Sequence, residues 1–177
     1  MTSVGGSSEA HDSRLRRALL AHLGSRDVAR VIYGSIIGLA LVTALKAHPP
    51  AAGVMVSILL GSAIAVGLAE VYSEFVGAEA RTRRKVERGH IRELLEDAGA
   101  VTFGASFPAV FFVLAAAGAL ERSTAFDLAK WTGLGLICVY AFLAARLSGY
   151  RVPGALLHAA LLGAVGGALI ALKALVH

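Results

Sequence analysis

Residues 51–80 read AAGVMVSILLGSAIAVGLAEVYSEFVGAEA, a run whose only charges are Glu70, Glu74 and Glu79. Wound as a helix at about 1.5 Å per residue, it is long enough to cross the roughly 30 Å hydrocarbon core of a bilayer. A carboxylate at that depth is costly unless it is protonated, paired with a cation or open to water, so Glu70 and Glu74 mark a candidate site. Being i and i+4, they share one helix face and are spaced to share one ion or one proton. Counted from Ala80 as the helix end, Glu74 lies about 9 Å deep and Glu70 about 15 Å deep, near the bilayer middle. Ser73 lies within a turn of Glu70.

The rest of the chain agrees with a membrane setting. Of 177 residues, 56% are hydrophobic and 16% charged, with a mean hydropathy of +0.70 and 20 glycines, a balance foreign to soluble domains. The net charge of +5 sits mostly in the segments between apolar runs, which fits loops at a membrane surface better than a nucleic-acid footprint, and no nucleic-acid partner is expected. The single cysteine, Cys138, leaves no intrachain disulfide and no CxxC site. There is no nucleotide loop, no HExxH and no nucleophile signature, so the expectation is not an enzyme and no permanently bound cofactor.

Five apolar segments are long enough to span: residues 28–47, 51–80, 98–120, 126–147 and 152–176. The predicted fold class is an all-α polytopic membrane protein with five transmembrane helices. Residues 1–13 read as a disordered tail and residues 14–27 as an amphipathic helix on the membrane surface. Residues 28–177 form the transmembrane domain, with a basic linker at 81–97. Thirteen of the 17 Lys and Arg residues precede or open the first segment, lie between the second and third, or lie at the joint of the fourth and fifth. The positive-inside rule then puts the N-terminus in the cytoplasm and the C-terminus on the outer side of what is expected to be a bacterial plasma membrane.

Other features carry weaker signals. Gly34/Gly38 and Gly163/Gly167 form GxxxG pairs, consistent with close helix packing and a homodimer. Pro108 interrupts the third segment after Thr102 and Ser106, freeing a carbonyl that a kink or an ion can use. His158 is a lone imidazole in an apolar run. Glu87, His90 and Glu93 share a helical face within the basic linker, as in some carboxylate metal sites, but flanked by arginines they are expected to form a solvated, ion-paired surface. A structural reading of the glutamates pairs them with a cation from another helix, such as Arg146, or keeps them protonated against Tyr33, Ser35 or Thr102.

Several stretches, in order, resemble the vacuolar iron transporter family. Ser73-Glu74-Phe75-Val76-Gly77 leading into Ala78-Glu79-Ala80-Arg81 is similar to the family's G-E-Y-V-S run, and Thr102-Phe103-Gly104-Ala105-Ser106-Phe107 to its third helix. Ala144-Ala145-Arg146-Leu147-Ser148-Gly149 is similar to the joint before its fifth. The resemblance covers about residues 26–175 and implies five helices, a cytoplasmic N-terminus, a dimer and export of Fe²⁺ or Mn²⁺ in exchange for protons. Glu74 matches the family glutamate. The family's acid in the first helix is missing from Ile32-Tyr33-Gly34-Ser35-Ile36-Ile37-Gly38, and Glu70 stands where many members have methionine. The long Glu-rich insertion of some members is replaced by a short arginine-rich linker.

The leading expectation is transport of a divalent metal, Fe²⁺ or Mn²⁺ as substrate, with Glu70 and Glu74 as metal ligands. Tyr33, Ser35, Ser73, Thr102 and Ser106 are candidate path or gate residues. Protons, membrane lipid and a second copy are the expected partners. The rival is a non-transporting membrane scaffold that binds lipid or a partner through its basic linker. A third reading moves another solute, such as an organic cation, over the same glutamates.

Overall fold

The computed structural model describes residues 25–82 and 88–175. The tail at 1–13, the amphipathic segment up to residue 24, and Glu87 lie outside them. Among the described residues the chain is all α-helix and turn. The helices are α1 (Ser25–Leu45), α2 (Ala52–Thr82), α3 (Arg88–Ser106), α4 (Ala109–Ala116), α5 (Arg122–Leu147) and α6 (Val152–Leu175).

Four of them, α1, α2, α5 and α6, are long and apolar enough to cross a membrane. A fifth crossing is formed if α3 and α4, bent by 50° around Phe107 and Pro108, count as one broken span. Only 18–39% of the residues in each apolar window are buried inside the molecule, so most apolar side chains face outward. Leu60, Ile64 and Leu68 on α2, and Leu156, Leu157 and Leu161 on α6, belong to this outer surface. That much exposed apolar area belongs in lipid, and the architecture is a multi-pass membrane protein.

The helices do not pack in sequence order. The α3 helix lies between α1 and α2, which barely touch each other; α1 packs on α3 and α5, and α6 packs on α5. Glycine permits the closest crossing. A Cβ at Gly34 would come within 2.1 Å of the Val101 carbonyl oxygen, and one at Gly104 within 2.3 Å of the Val31 oxygen. The first GxxxG pair therefore joins α1 to α3 within one chain and offers no free dimer face. Of the second pair, Gly163 abuts Cys138 on α5, whereas Gly167 faces open space.

At the end holding the 46–51 turn, Val42, Met55, Leu59, Ala109, Phe112, Ala125, Phe126 and Ala129 form an apolar core. Phe112 and Phe126 meet edge to face at 4.8 Å. Lys46 bonds Asp127 there, and Arg122 donates to the Pro50 carbonyl at 3.4 Å. A shallow cleft of about 410 Å³ opens beside them, lined by Lys46, Pro49, Glu121, Arg122, Ser123 and Phe126. At the opposite end Gly149, with φ +87°, closes α5 as Tyr150 N–H bonds the Ala145 carbonyl.

Candidate functional site

On α2 the buried positions Met55, Leu59, Ala63, Gly67 and Ala78 trace one stripe along the helix. Glu70 and Glu74 continue that stripe between Gly67 and Ala78, so both carboxylates are aimed at the neighbouring helix instead of at lipid. Facing them, α3 buries Leu94, Asp97, Ala98, Val101 and Ala105. On α1, Arg30 stands one turn before Gly34 and two before Gly38, on the edge that meets α3.

These three stripes bring four charges together. The Arg30 guanidinium reaches Glu70 through Nε at 3.3 Å, Glu74 through Nη2 at 3.9 Å and Asp97 through Nη1 at 2.6 Å. The Arg30 and Asp97 side chains are 16% and 12% exposed, Glu70 23% and Glu74 37%, so the cluster grades from closed at Asp97 to open at Glu74. Arg81 approaches Glu74 from the open side at 3.5 Å. Burying carboxylates at a helix interface is tolerable because a cation answers them, and removing that cation would leave three like charges side by side.

Glu70 is 18 residues beyond the start of the 31-residue α2 and 12 before its end, so the cluster lies nearer the end that leads into the basic linker than the 46–51 turn.

The structure puts the other singled-out residues elsewhere. Tyr33 is half exposed on the outer surface of α1. Ser35 is buried at the α1–α3 crossing, and its hydroxyl has no hydrogen-bond partner among the described residues. Ser73 donates to the Glu70 carbonyl at 3.1 Å, within its own helix. Thr102 donates to the Ala63 carbonyl at 3.4 Å, tying α3 to α2 beside Gly67. Ser106 bonds the Phe103 carbonyl at 3.3 Å next to the Pro108 break. Thus Thr102 borders the acidic stripe, while the hydroxyls of Ser73 and Ser106 turn to carbonyls of their own helices. Arg146 donates to the Tyr150 carbonyl at 2.9 Å and closes the α5–α6 joint, so Arg30, not Arg146, is the cation that answers the glutamates. His158 is exposed with its ring 6.1 Å from that of Tyr150. The Glu87, His90 and Glu93 set lies partly outside the described residues.

Two members of the cluster escaped the reading of the sequence. Arg30 registered only as part of the positive charge before the first span. Asp97 fell in the supposed linker, because α3 begins ten residues ahead of the apolar segment. The signal was there: Leu94, Asp97 and Val101 share helical spacing with the buried face.

Chemically, the arrangement is a ring of carboxylates around one planar cation. Among the described residues no three His, Cys, Asp or Glu side chains are gathered closely enough to hold a metal ion. What the site holds in this state is Arg30. No protein-family model, curated protein or solved structure compared with the chain matches it.

Proposed function

We propose that this protein exchanges a cation for protons across the membrane, with Glu70, Glu74 and Asp97 as its cation station. One observation carries the reading: three carboxylates from two helices converge on the Arg30 guanidinium, and Arg81 reaches Glu74 from the open side. An interface built only for strength needs one acid for one guanidinium, and apolar packing of equal volume serves as well. Carboxylate oxygens suit hard and borderline divalent cations, and each must lose its proton to bind one, which couples the two fluxes. The resemblance to vacuolar iron transporters makes Fe²⁺ or Mn²⁺ the proposed cargo, moved out of the cytosol by a homodimer. In the same reading the N-terminus and the basic linker face the cytoplasm, and the C-terminus lies on the outer side of a bacterial plasma membrane.

The test is Mn²⁺ and Fe²⁺ uptake into proteoliposomes holding a pH-sensitive dye, comparing the wild type with Glu70→Gln and Glu74→Gln. Metal flux with opposing proton movement, reduced in both variants, is the expected result. A folded wild type without flux would leave the second reading, a non-transporting scaffold in which the cluster pins α1, α2 and α3 together. The tight Gly34 and Gly104 crossing, which resists sliding, favours that alternative.

A further inference from the structure

We propose that the cleft at the 46–51 end of the molecule binds a zwitterionic phosphoethanolamine headgroup, presented by a phospholipid of the surrounding membrane. The proposal does not rest on transport, and its test reads no flux.

The cleft has the size of a small-molecule site. Its volume of about 410 Å³ falls within the range of about 300–1,000 Å³ usual for such sites, and it is lined by Lys46, Pro49, Glu121, Arg122, Ser123 and Phe126. It lies where α1 ends at Leu45 and α5 begins at Arg122, and both helices are apolar enough to span. Helix ends of that kind meet the headgroup layer, so a lipid reaches the cleft without leaving the membrane.

The charge left over in the cleft selects the ligand. Lys46 bonds Asp127, which also receives Lys130 at 3.4 Å, so these three charges answer one another. Arg122 donates through Nη1 to the neutral Pro50 carbonyl at 3.4 Å. Glu121 is extended, and its side chain makes no capping bond to α5. Among the described residues neither Arg122 nor Glu121 belongs to an ion pair. One guanidinium and one carboxylate, adjacent in the chain, therefore stand unanswered beside one cavity. A ligand that satisfies both carries one negative and one positive group a few bonds apart, as a phosphodiester with a primary ammonium does. A purely anionic headgroup leaves Glu121 facing a like charge.

The donors and acceptors match that assignment. The planar fork of Arg122 suits two phosphate oxygens. The Ser123 hydroxyl lines the same cleft, and the first N–H groups of α5, left uncapped by Glu121, add to the donor set. On the other side, a primary ammonium donates hydrogen bonds to the Glu121 carboxylate. A trimethylammonium has no N–H to give, which sets phosphocholine apart.

The test is native mass spectrometry of the purified full chain in detergent. Phosphatidylethanolamine, phosphatidylglycerol and phosphatidylcholine with identical acyl chains are added in equal amounts, and glycerophosphoethanolamine serves as the acyl-free arm. The wild type is expected to retain phosphatidylethanolamine over the other two by about fivefold or more. Arg122→Gln should lose that retention, and Glu121→Gln should erase the preference over phosphatidylglycerol. Arg151→Gln, an exposed arginine at the opposite end of α5, should leave it unchanged. Equal retention of the three lipids by the wild type overturns the proposal, as does a preference that survives both Glu121→Gln and Arg122→Gln. Glycerophosphoethanolamine that displaces the lipid at equal concentration overturns the lipid as the source of the headgroup. Glu121 and Arg122 are both exposed, so the variants are expected to fold, and the selectivity of the wild type tests the proposal without them.

Discussion

Asp97 and Glu74 both face Arg30, yet they hold it unequally. The Asp97 contact is 2.6 Å with a side chain 12% exposed; the Glu74 contact is 3.9 Å with a side chain 37% exposed. Neutralising the first should therefore cost more. Asp97→Asn is expected to lower stability by about 2–3 kcal/mol, and Glu74→Gln by less than about 1 kcal/mol, in thermal or denaturant unfolding of the purified protein. Equal losses would mean that the three acids bear the guanidinium equally. At this scale the sequence was half legible. Glu70 and Glu74 stood out because an acid inside an apolar run has few bland explanations. Arg30 and Asp97 did not, because each sits beside other charges and reads as loop until its helix is extended. The four-residue spacing of Arg30, Gly34 and Gly38 is the signal that would have put Arg30 on the packed face.

Helix contacts explain why the cluster forms where it does. The α1 and α3 backbones approach closely at Gly34 and Gly104, and that approach puts Arg30 and Asp97, each a turn or two away, within reach. Gly104→Ala must push Val31 aside and is expected to destabilise by about 1–3 kcal/mol while loosening the cluster. Gly61→Ala, with nothing within 4 Å, should leave stability unchanged or slightly raised through helix propensity. Comparing the two melting temperatures checks the claim, and equal effects would contradict it. Segment positions were largely readable from hydropathy, since α1, α2, α5 and α6 follow the apolar runs to within a few residues. The third segment was not, because the first turns of α3 carry Glu93, Glu96 and Asp97 and look polar although they are helical. Its break at Pro108 was readable from the ring alone, which removes one hydrogen-bond donor.

For the molecule as a whole, counting the bent α3–α4 pair as one span gives five crossings with most of the arginines on one side, an arrangement that labelling can test. In a Cys138→Ala background, His48→Cys and Ser148→Cys should react with an impermeant thiol reagent from opposite faces of the membrane; labelling from one face would contradict the five-crossing topology. In that arrangement the acidic ring around Arg30 lies at the basic face, and the Lys46–Asp127 end with its cleft lies at the other. Under the proposed function, cargo would pass from the ring along the α1, α2 and α3 interface, past Thr102 and Ser35. The most direct measurement is Mn²⁺ flux into proteoliposomes by Asp97→Asn beside Glu96→Gln, whose carboxylate is exposed and bonded to Arg92 on the same helix. The account predicts that Asp97→Asn loses about tenfold or more of wild-type flux while Glu96→Gln keeps it; equal flux in the two variants, or none in a folded wild type, would contradict the claim that the ring around Arg30 is a cation station.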